Sequence, residues 1–154
     1  MGKLVIGKPA PLPCTPKGIV ELLKRYQINT RGAQVVVMGR GLTVGRPLAL
    51  LLSQKGIDAT VTITHTATKD AEKLTKDADI VVAAIGKAHL LKPDAIKTGA
   101  VLLDVGITRT SAGLLGDIDP ECSQKASYIA PMPGGVGPMT RAMLLQNVVE
   151  MARS

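Results

Sequence analysis

Val35-Val36-Val37-Met38-Gly39-Arg40-Gly41-Leu42-Thr43-Val44-Gly45-Arg46-Pro47 is the stretch whose reading decides the fold. Four successive apolar residues read as a strand buried on both faces, as in a parallel sheet. Three glycines follow, and residues 48–55 then read as a helix, with Gly56 where a helix C-cap glycine belongs. Strand, glycine turn and helix together make the geometry of a dinucleotide fingerprint. The spacing Gly39, Gly41, Gly45 is one residue longer than the standard G-x-G-x-x-G. Glycine turns also close ordinary βα units, so the rest of the chain must weigh in.

It does so by alternation. Residues 1–13 hold Gly2, Gly7, Pro9, Pro11 and Pro13 and read as an extended lead-in. Thr15 is a candidate N-cap with Pro16 at the first helical position, and Ile19, Leu22, Leu23 and Tyr26 recur at helical spacing. Residues 60–64 are β-branched throughout and read as a second strand. Residues 79–85, 100–105 and 128–130 read as three more, the first two ended by Gly86 and Gly106. Between them lie short helical stretches at 69–76, 93–97 and 120–126, and an irregular excursion or hairpin at 108–117. A last helix runs from about Met139 to Ala152. The pattern predicts an α/β fold: a doubly wound Rossmann-type parallel sheet of about five strands with helices on both faces. In such sheets ligands sit beyond the carboxyl ends of the strands, where Gly39, His65, Gly86, Gly106 and Pro133 all fall.

A second loop ends on that rim. Met132-Pro133-Gly134-Gly135-Val136-Gly137-Pro138-Met139-Thr140 combines three glycines with inner prolines before an apolar helix bearing Met143, Leu144, Val148 and Met151. Glycine lets another molecule approach the main chain, and the free N–H groups of a helix start favour anions or carbonyl oxygens. Taken alone, it also reads as a tight strand-to-helix turn.

Composition excludes several classes. The chain of 154 residues is one domain by length, with 45% apolar residues, two Tyr and no Phe or Trp. Single-stranded nucleic-acid platforms need stacking rings. No run of 18 apolar residues and no signal-peptide core occur, so no membrane span is expected. Cys14 and Cys122 make neither a metal spacing nor a disulfide framework, which suits a reducing cytoplasm. Net charge is +7, and residues 1–31 carry six Lys/Arg against Glu21 alone. This excess is either a solvated surface or a field for polyanions. The glycine loops give it a target in nucleotide phosphates. The alternative is a basic nucleic-acid or protein interaction module on the same scaffold.

The acid that grips the ribose of NAD ends the second strand of such folds. Here that strand ends in His65 and Thr66, while Arg40 stands in the first loop. A guanidinium can hold a 2′-phosphate that a carboxylate would repel. The expected cofactor is therefore NADP. His65 alone reads as a polar strand-end residue.

With these residues in place, the chain resembles the C-terminal, cofactor-binding half of bifunctional methylenetetrahydrofolate dehydrogenase/methenyltetrahydrofolate cyclohydrolase. The resemblance rests on Pro13-Cys14-Thr15-Pro16, Gly39-Arg40-Gly41 with Val44-Gly45-Arg46-Pro47, His65-Thr66, Asp104-Val105-Gly106-Ile107, Gly116-Asp117 and the PGGVGPMT run, all in order. It implies oxidation of 5,10-methylenetetrahydrofolate by hydride transfer to NAD(P)⁺, then hydrolysis of the methenyl product to 10-formyltetrahydrofolate. It implies cofactor contacts from Gly39, Arg40, Gly41, Thr66 and Ile107. Pro133, Gly134, Gly135, Val136 and Gly137 would line the cleft facing the folate, and a homodimer is implied as well. Gly41 departs from the Ser common in this loop. The family's catalytic lysine and tyrosine lie in an N-terminal domain ahead of the PCTP motif, where this chain has twelve residues. No residue here is assigned a catalytic role. The chain alone is expected to bind cofactor without catalysis, and apolar surface at Leu4, Val5 and Leu12 or at Met143 and Met151 is expected to be exposed.

Overall fold

Strand residues alternate between two apolar cores. In strand β1 (Gln34–Met38), Val35 and Val37 join one cluster, and Val36 and Met38 join the other. Strands β3 (Ile80–Ala83) and β4 (Val101–Asp104) split in the same way, Ile80, Val82, Val101 and Leu103 against Val81, Ala83 and Leu102. A strand buried on both faces reads as a near-continuous apolar run, which is why these segments lack the alternation of a half-exposed strand; Gln34 and Asp104, at strand ends, are the exceptions. The computed structural model describes residues 1–111 and 113–153; Ala112, within the expected excursion at 108–117, and Ser154 lie outside it.

The sheet is parallel throughout. With β2 (Thr60–Thr64) and β7 (Tyr128–Ala130), its order is β2-β1-β3-β4-β7. Two further strands, β5 (Thr108–Thr110) and β6 (Gly113–Leu115), form a separate antiparallel hairpin. Helices α2 (Cys14–Arg25), α3 (Gly45–Leu52) and α5 (Val136–Ala152) cover one face through Ile19, Leu23, Leu48, Leu52 and Val136. The other face is covered by Leu74 of α4 (Ala71–Asp77), by Ala95 of the 3₁₀ turn Pro93–Ala95 with Leu91 and Ile96 beside it, and by Cys122 of the 3₁₀ turn Pro120–Gln124. Each fully buried Leu or Ile contributes about 1.5–3 kcal/mol. The strand order reverses between β1 and β3, so their carboxyl ends diverge and leave a crevice.

Helix boundaries differ from the sequence expectation. Helix α2 begins at Cys14 with Pro13 as N-cap, and the Lys17 N–H donates to the Pro13 carbonyl at 3.0 Å. The Thr15 hydroxyl is engaged elsewhere, 3.0 Å from that of Thr140. Helix α3 spans Gly45–Leu52 instead of 48–55, and Gly56 lies beyond its Ser53 C-cap. Helix α5 starts at Val136, three residues before Met139, because the Val136 side chain belongs to the core and is only 2% exposed. The lead-in holds one helical turn, α1 (Gly2–Val5), in place of a purely extended segment. Leu4 is buried there and Met143 is buried too, whereas Val5 and Met151 are exposed and Leu12 is half-buried.

Helices α2 and α5 are pinned side by side. Lys17 Nζ donates to Asn147 Oδ1 at 3.0 Å and ion-pairs with Glu150 at 3.1 Å. Asn147 Nδ2 donates to the Leu12 carbonyl at 2.8 Å. A side chain on Gly18 would press on Met139 of α5.

The β1–α3 loop is locked by two glycines. Gly39 has φ +111°, and a Cβ there would overlap the Ala84 carbonyl; one at Gly45 would overlap the Gly39 carbonyl. Gly41 has open space around it. Gly45→Ala should therefore cost about 2 kcal/mol or more, as overpacking against backbone does. Gly41→Ser should change stability by less than about 0.5 kcal/mol. Urea denaturation checks both, and equal midpoints for the two variants would contradict the interlock.

Candidate functional site

The carboxyl ends of the five parallel strands deliver one rim. From β1 the chain turns at Gly39, whose N–H donates to the Thr64 carbonyl of β2 at 2.9 Å. The loop then climbs through exposed Arg40, Gly41 and Leu42 and drops into α3. No side chain caps the N-terminus of α3, where Val44 is the N-cap. Within its first turn the Arg46 N–H donates to the Gly41 carbonyl at 3.1 Å, the Leu48 N–H to the Val44 carbonyl at 2.9 Å, and Pro47 has no N–H, so the Gly45 N–H is the donor left for an anion. The residues fit a dinucleotide pyrophosphate on two counts. Gly39 takes a left-handed φ, and Gly41 leaves the main chain bare where a Cβ would stand free of protein contacts.

Next to it, β2 ends in His65 and Thr66. The His65 N–H donates to Thr68 Oγ1 at 2.9 Å, and His65 Nδ1 accepts from the Ala67 N–H at 3.2 Å. The imidazole is committed to holding its own turn, consistent with a strand-end role. Thr66 is exposed, and among the described residues its hydroxyl bonds to nothing in the protein. No carboxylate ends β2.

The β7 end delivers the second glycine loop. The Gly135 N–H donates to the Pro131 carbonyl at 2.8 Å, closing a tight turn, and Gly134 has φ +106°. A Cβ on Gly135 would lie 2.7 Å from the Pro131 carbonyl oxygen and the Ala130 carbonyl carbon. Pro133, Gly134 and Gly137 are exposed on the rim, whereas the Val136 side chain turns into the core. Beyond β4, Gly106 is buried and Ile107 is half exposed.

Two acidic residues hold this rim together, and sequence reading gave neither a role. The Asp117 carboxylate accepts the N–H groups of Ile85 at 2.6 Å, Gly86 at 2.9 Å and Lys87 at 2.8 Å. The Asp104 carboxylate accepts those of Asp117 at 2.8 Å and Ile118 at 3.1 Å. Both acids are almost wholly buried. The signals in the sequence were the motifs Asp104-Val105-Gly106-Ile107 and Gly116-Asp117, each setting an acid beside a glycine. A side chain on Gly106 would overlap the Asp117 carboxylate, and one on Gly116 the Asp104 carboxylate.

Burial pushes the Asp104 carboxyl up to about 6, against the pull of its two N–H donors, with the Asp117 charge adding to the rise and His89 opposing it. Burial also raises the Cys122 thiol to about 11, so it stays protonated and bonded to the Leu91 carbonyl at 3.5 Å. Both cysteines are free. Among the described residues no cluster of three His, Cys, Asp or Glu could hold a metal, and no helix is long and apolar enough to cross a membrane. Of the six cations in residues 1–31, Lys17 pairs with Glu150 and Arg25 with Glu21. Because the folded pKa of Asp104 lies above its ordinary 3.8, its contribution to stability is full below that value and is lost as pH rises through about 6. A carbon-detected NMR titration should give Asp104 a midpoint near 6; a midpoint at 3.8 or below would show that the N–H donors outweigh burial.

Comparison with known proteins identifies the family and agrees with the fold. Residues 13–154 match the family described as tetrahydrofolate dehydrogenase/cyclohydrolase, NAD(P)-binding domain. The bifunctional methylenetetrahydrofolate dehydrogenase/cyclohydrolase of Campylobacter jejuni is 46% identical, with a TM-score of 0.94 over 99% of this chain and 54% of its own. The 5,10-methylenetetrahydrofolate dehydrogenase of the silkworm Bombyx mori is 44% identical, with a TM-score of 0.94 over 99% of this chain and 55% of its own. The Trypanosoma brucei dehydrogenase-cyclohydrolase, solved with NADP and an inhibitor, is 41% identical, with a TM-score of 0.87 over 97% of this chain and 54% of its own. This chain spans about half the length of these relatives. By fold and by sequence match, the chain belongs to the NAD(P)-binding domain family of the tetrahydrofolate dehydrogenase/cyclohydrolases.

Proposed function

We propose that this chain binds NADP in preference to NAD as the cofactor half of a methylenetetrahydrofolate dehydrogenase/cyclohydrolase. The observation that carries the preference is the β2 end, which offers an unengaged Thr66 hydroxyl and no carboxylate, beside the exposed Arg40. Arg40 and Thr66 would hold the 2′-phosphate, and Gly39, Gly41 and the start of α3 the pyrophosphate. Ile107 would pack beside the nicotinamide, and Pro133 to Gly137 would face the folate, Val136 through its backbone alone. When bound, the cofactor supplies a hydride acceptor. The NADP found with the trypanosome relative supports this reading. The whole reaction, oxidation of methylenetetrahydrofolate and hydrolysis of its product, is proposed only for an assembly in which folate-binding and catalytic groups complete the cleft. Hydride transfer needs both reactants positioned together. The two free cysteines support a cytoplasmic setting.

Helix α5 supports an assembly as well. Leu144, Leu145, Val148 and Val149 are all about half exposed or more, so the helix bares an apolar face away from the Asn147 and Glu150 side that meets α2. An exposed apolar face of this kind marks an interaction surface. In the chain alone, this surface is proposed to drive self-association into a homodimer. Sedimentation velocity should show an assembly larger than a monomer, and Leu145→Glu should shift it to monomer; a monomeric parent chain would refute the self-association.

Calorimetric titration with NADP⁺ and NAD⁺ at two salt concentrations tests the cofactor. NADP⁺ should bind more tightly. Arg40→Ala should weaken NADP⁺ by about tenfold or more, the roughly 1.5–3 kcal/mol of a hydrogen bond to a charged group, and leave NAD⁺ nearly unchanged. Equal affinities, or an indifferent Arg40→Ala, would overturn the NADP assignment. Oxidation of methylenetetrahydrofolate by the chain alone would overturn its inactivity.

A further inference from the structure

The turn that ends β3 has the form of an anion nest. Ile85, Gly86 and Lys87 aim three successive N–H groups at one point, with Gly86 at φ +81°. Such concavities bind phosphates in many proteins. Here the occupant is the chain's own Asp117, 1% exposed. The Asp117 carboxylate lies where a Cβ on Gly106 would fall, so it bears on the β4 end as well as the β3 end. Asp117 is itself held, because its N–H and that of Ile118 donate to Asp104, the last residue of β4. The Gly116 carbonyl accepts from the His89 N–H at 3.0 Å and the Asp117 carbonyl from the Leu91 N–H at 3.0 Å, which fixes the segment on both sides. Beside the Val105 and Gly106 N–H groups, which donate to the Ala83 carbonyl at 2.9 and 3.0 Å, this buried carboxylate ties the Ile85–Lys87 turn to the Gly106–Ile107 end.

These two ends lie on one side of the crevice. The sheet order places β2 and β1 to one side of the switch point and β3, β4 and β7 to the other. A dinucleotide that lays its phosphorylated adenosine over the β2 and β1 ends must lay its other half over β3 and β4. We propose that Asp117 is a positioning residue for the nicotinamide half of the cofactor, acting through the Ile85–Lys87 turn and Ile107. This inference rests on the cofactor reading above. Asparagine in its place offers one acceptor oxygen, and its amide group would face an N–H with a donor of its own. The turn would then lose a bond and shift. The adenosine side, built on Gly39, Arg40 and Thr66, has no bond to Asp117.

The test compares NADP⁺ with 2′,5′-ADP, which carries the adenosine half alone. In the parent chain NADP⁺ should bind more tightly than 2′,5′-ADP. Asp117→Asn should weaken NADP⁺ by about tenfold and leave 2′,5′-ADP within twofold. General destabilisation would weaken both together, so the ratio separates positioning from stability. Amide NMR shifts of the unaltered chain provide a second reading should the variant fail to fold. Ile85, Gly86, Lys87 and Ile107 should move with NADP⁺ and stay still with 2′,5′-ADP. If the parent chain binds neither ligand, the cofactor reading falls and takes this inference with it. If it binds both but with equal affinity, with parallel losses in the variant, or with the four amides unmoved by NADP⁺, this inference alone falls.

Discussion

Burial of both faces of a parallel sheet is the constraint on which the rest of the molecule depends. With no Phe or Trp, the two cores are filled by Val, Ile, Leu, Ala and Met, side chains of modest volume that pack at every strand position. Polar chemistry therefore collects at the strand ends, with Asp104 at the last position of β4, and beyond them. The residues implicated in binding lie in the segments that follow the strands, Val136 and Gly137 already in the first turn of α5. The reversal of strand order between β1 and β3 then decides where on that rim a ligand finds room.

The rim carries two opposite electrostatic solutions. On the β1–β2 side an exposed Arg40 and the unengaged Thr66 hydroxyl suit a ligand's negative charge. On the β3–β4 side the protein supplies the negative charge itself, through Asp117, and satisfies the backbone internally. One side is therefore incomplete without a ligand and the other is pre-formed. A buried carboxylate with three N–H donors is a rigid device, since loosening it leaves buried donors unpaired. The cost of keeping two acids so close appears in Asp104, which burial and the charge of Asp117 push toward neutrality.

Much of this was legible in the sequence. The strands stood out because apolar runs such as 80–83 and 101–103, and the β-branched run 60–64, have no other economical reading, and the glycine loops marked the rim. Boundaries were less legible where tertiary contacts override propensity. Gly45 is a poor helix former, yet it opens α3 because only glycine fits against the Gly39 carbonyl. Val136 lies inside a loop-like run, yet it starts α5 because its side chain fills the core. The turn at Gly2–Val5 has no strong helical pattern and exists through the burial of Leu4. The paired carboxylates were beyond reach because three segments, at 85–87, 104 and 117–118, must first be brought together by the sheet. Local patterns carry no information on such a meeting.

The pairing of α2 with α5 has a consequence for synthesis. Leu12, Thr15 and Lys17 bond to Asn147, Thr140 and Glu150, contacts that join positions 125 to 135 residues apart. Helix α2 leaves the ribosome before α5, with every strand of the sheet synthesised between them. Until α5 is made, Gly18 has no Met139 to meet, and one face of the sheet stays partly uncovered. Long-range contacts of this kind slow folding and leave apolar surface open while they wait. The nascent chain is therefore open to aggregation and to chaperone capture in the interval between the synthesis of α2 and that of α5.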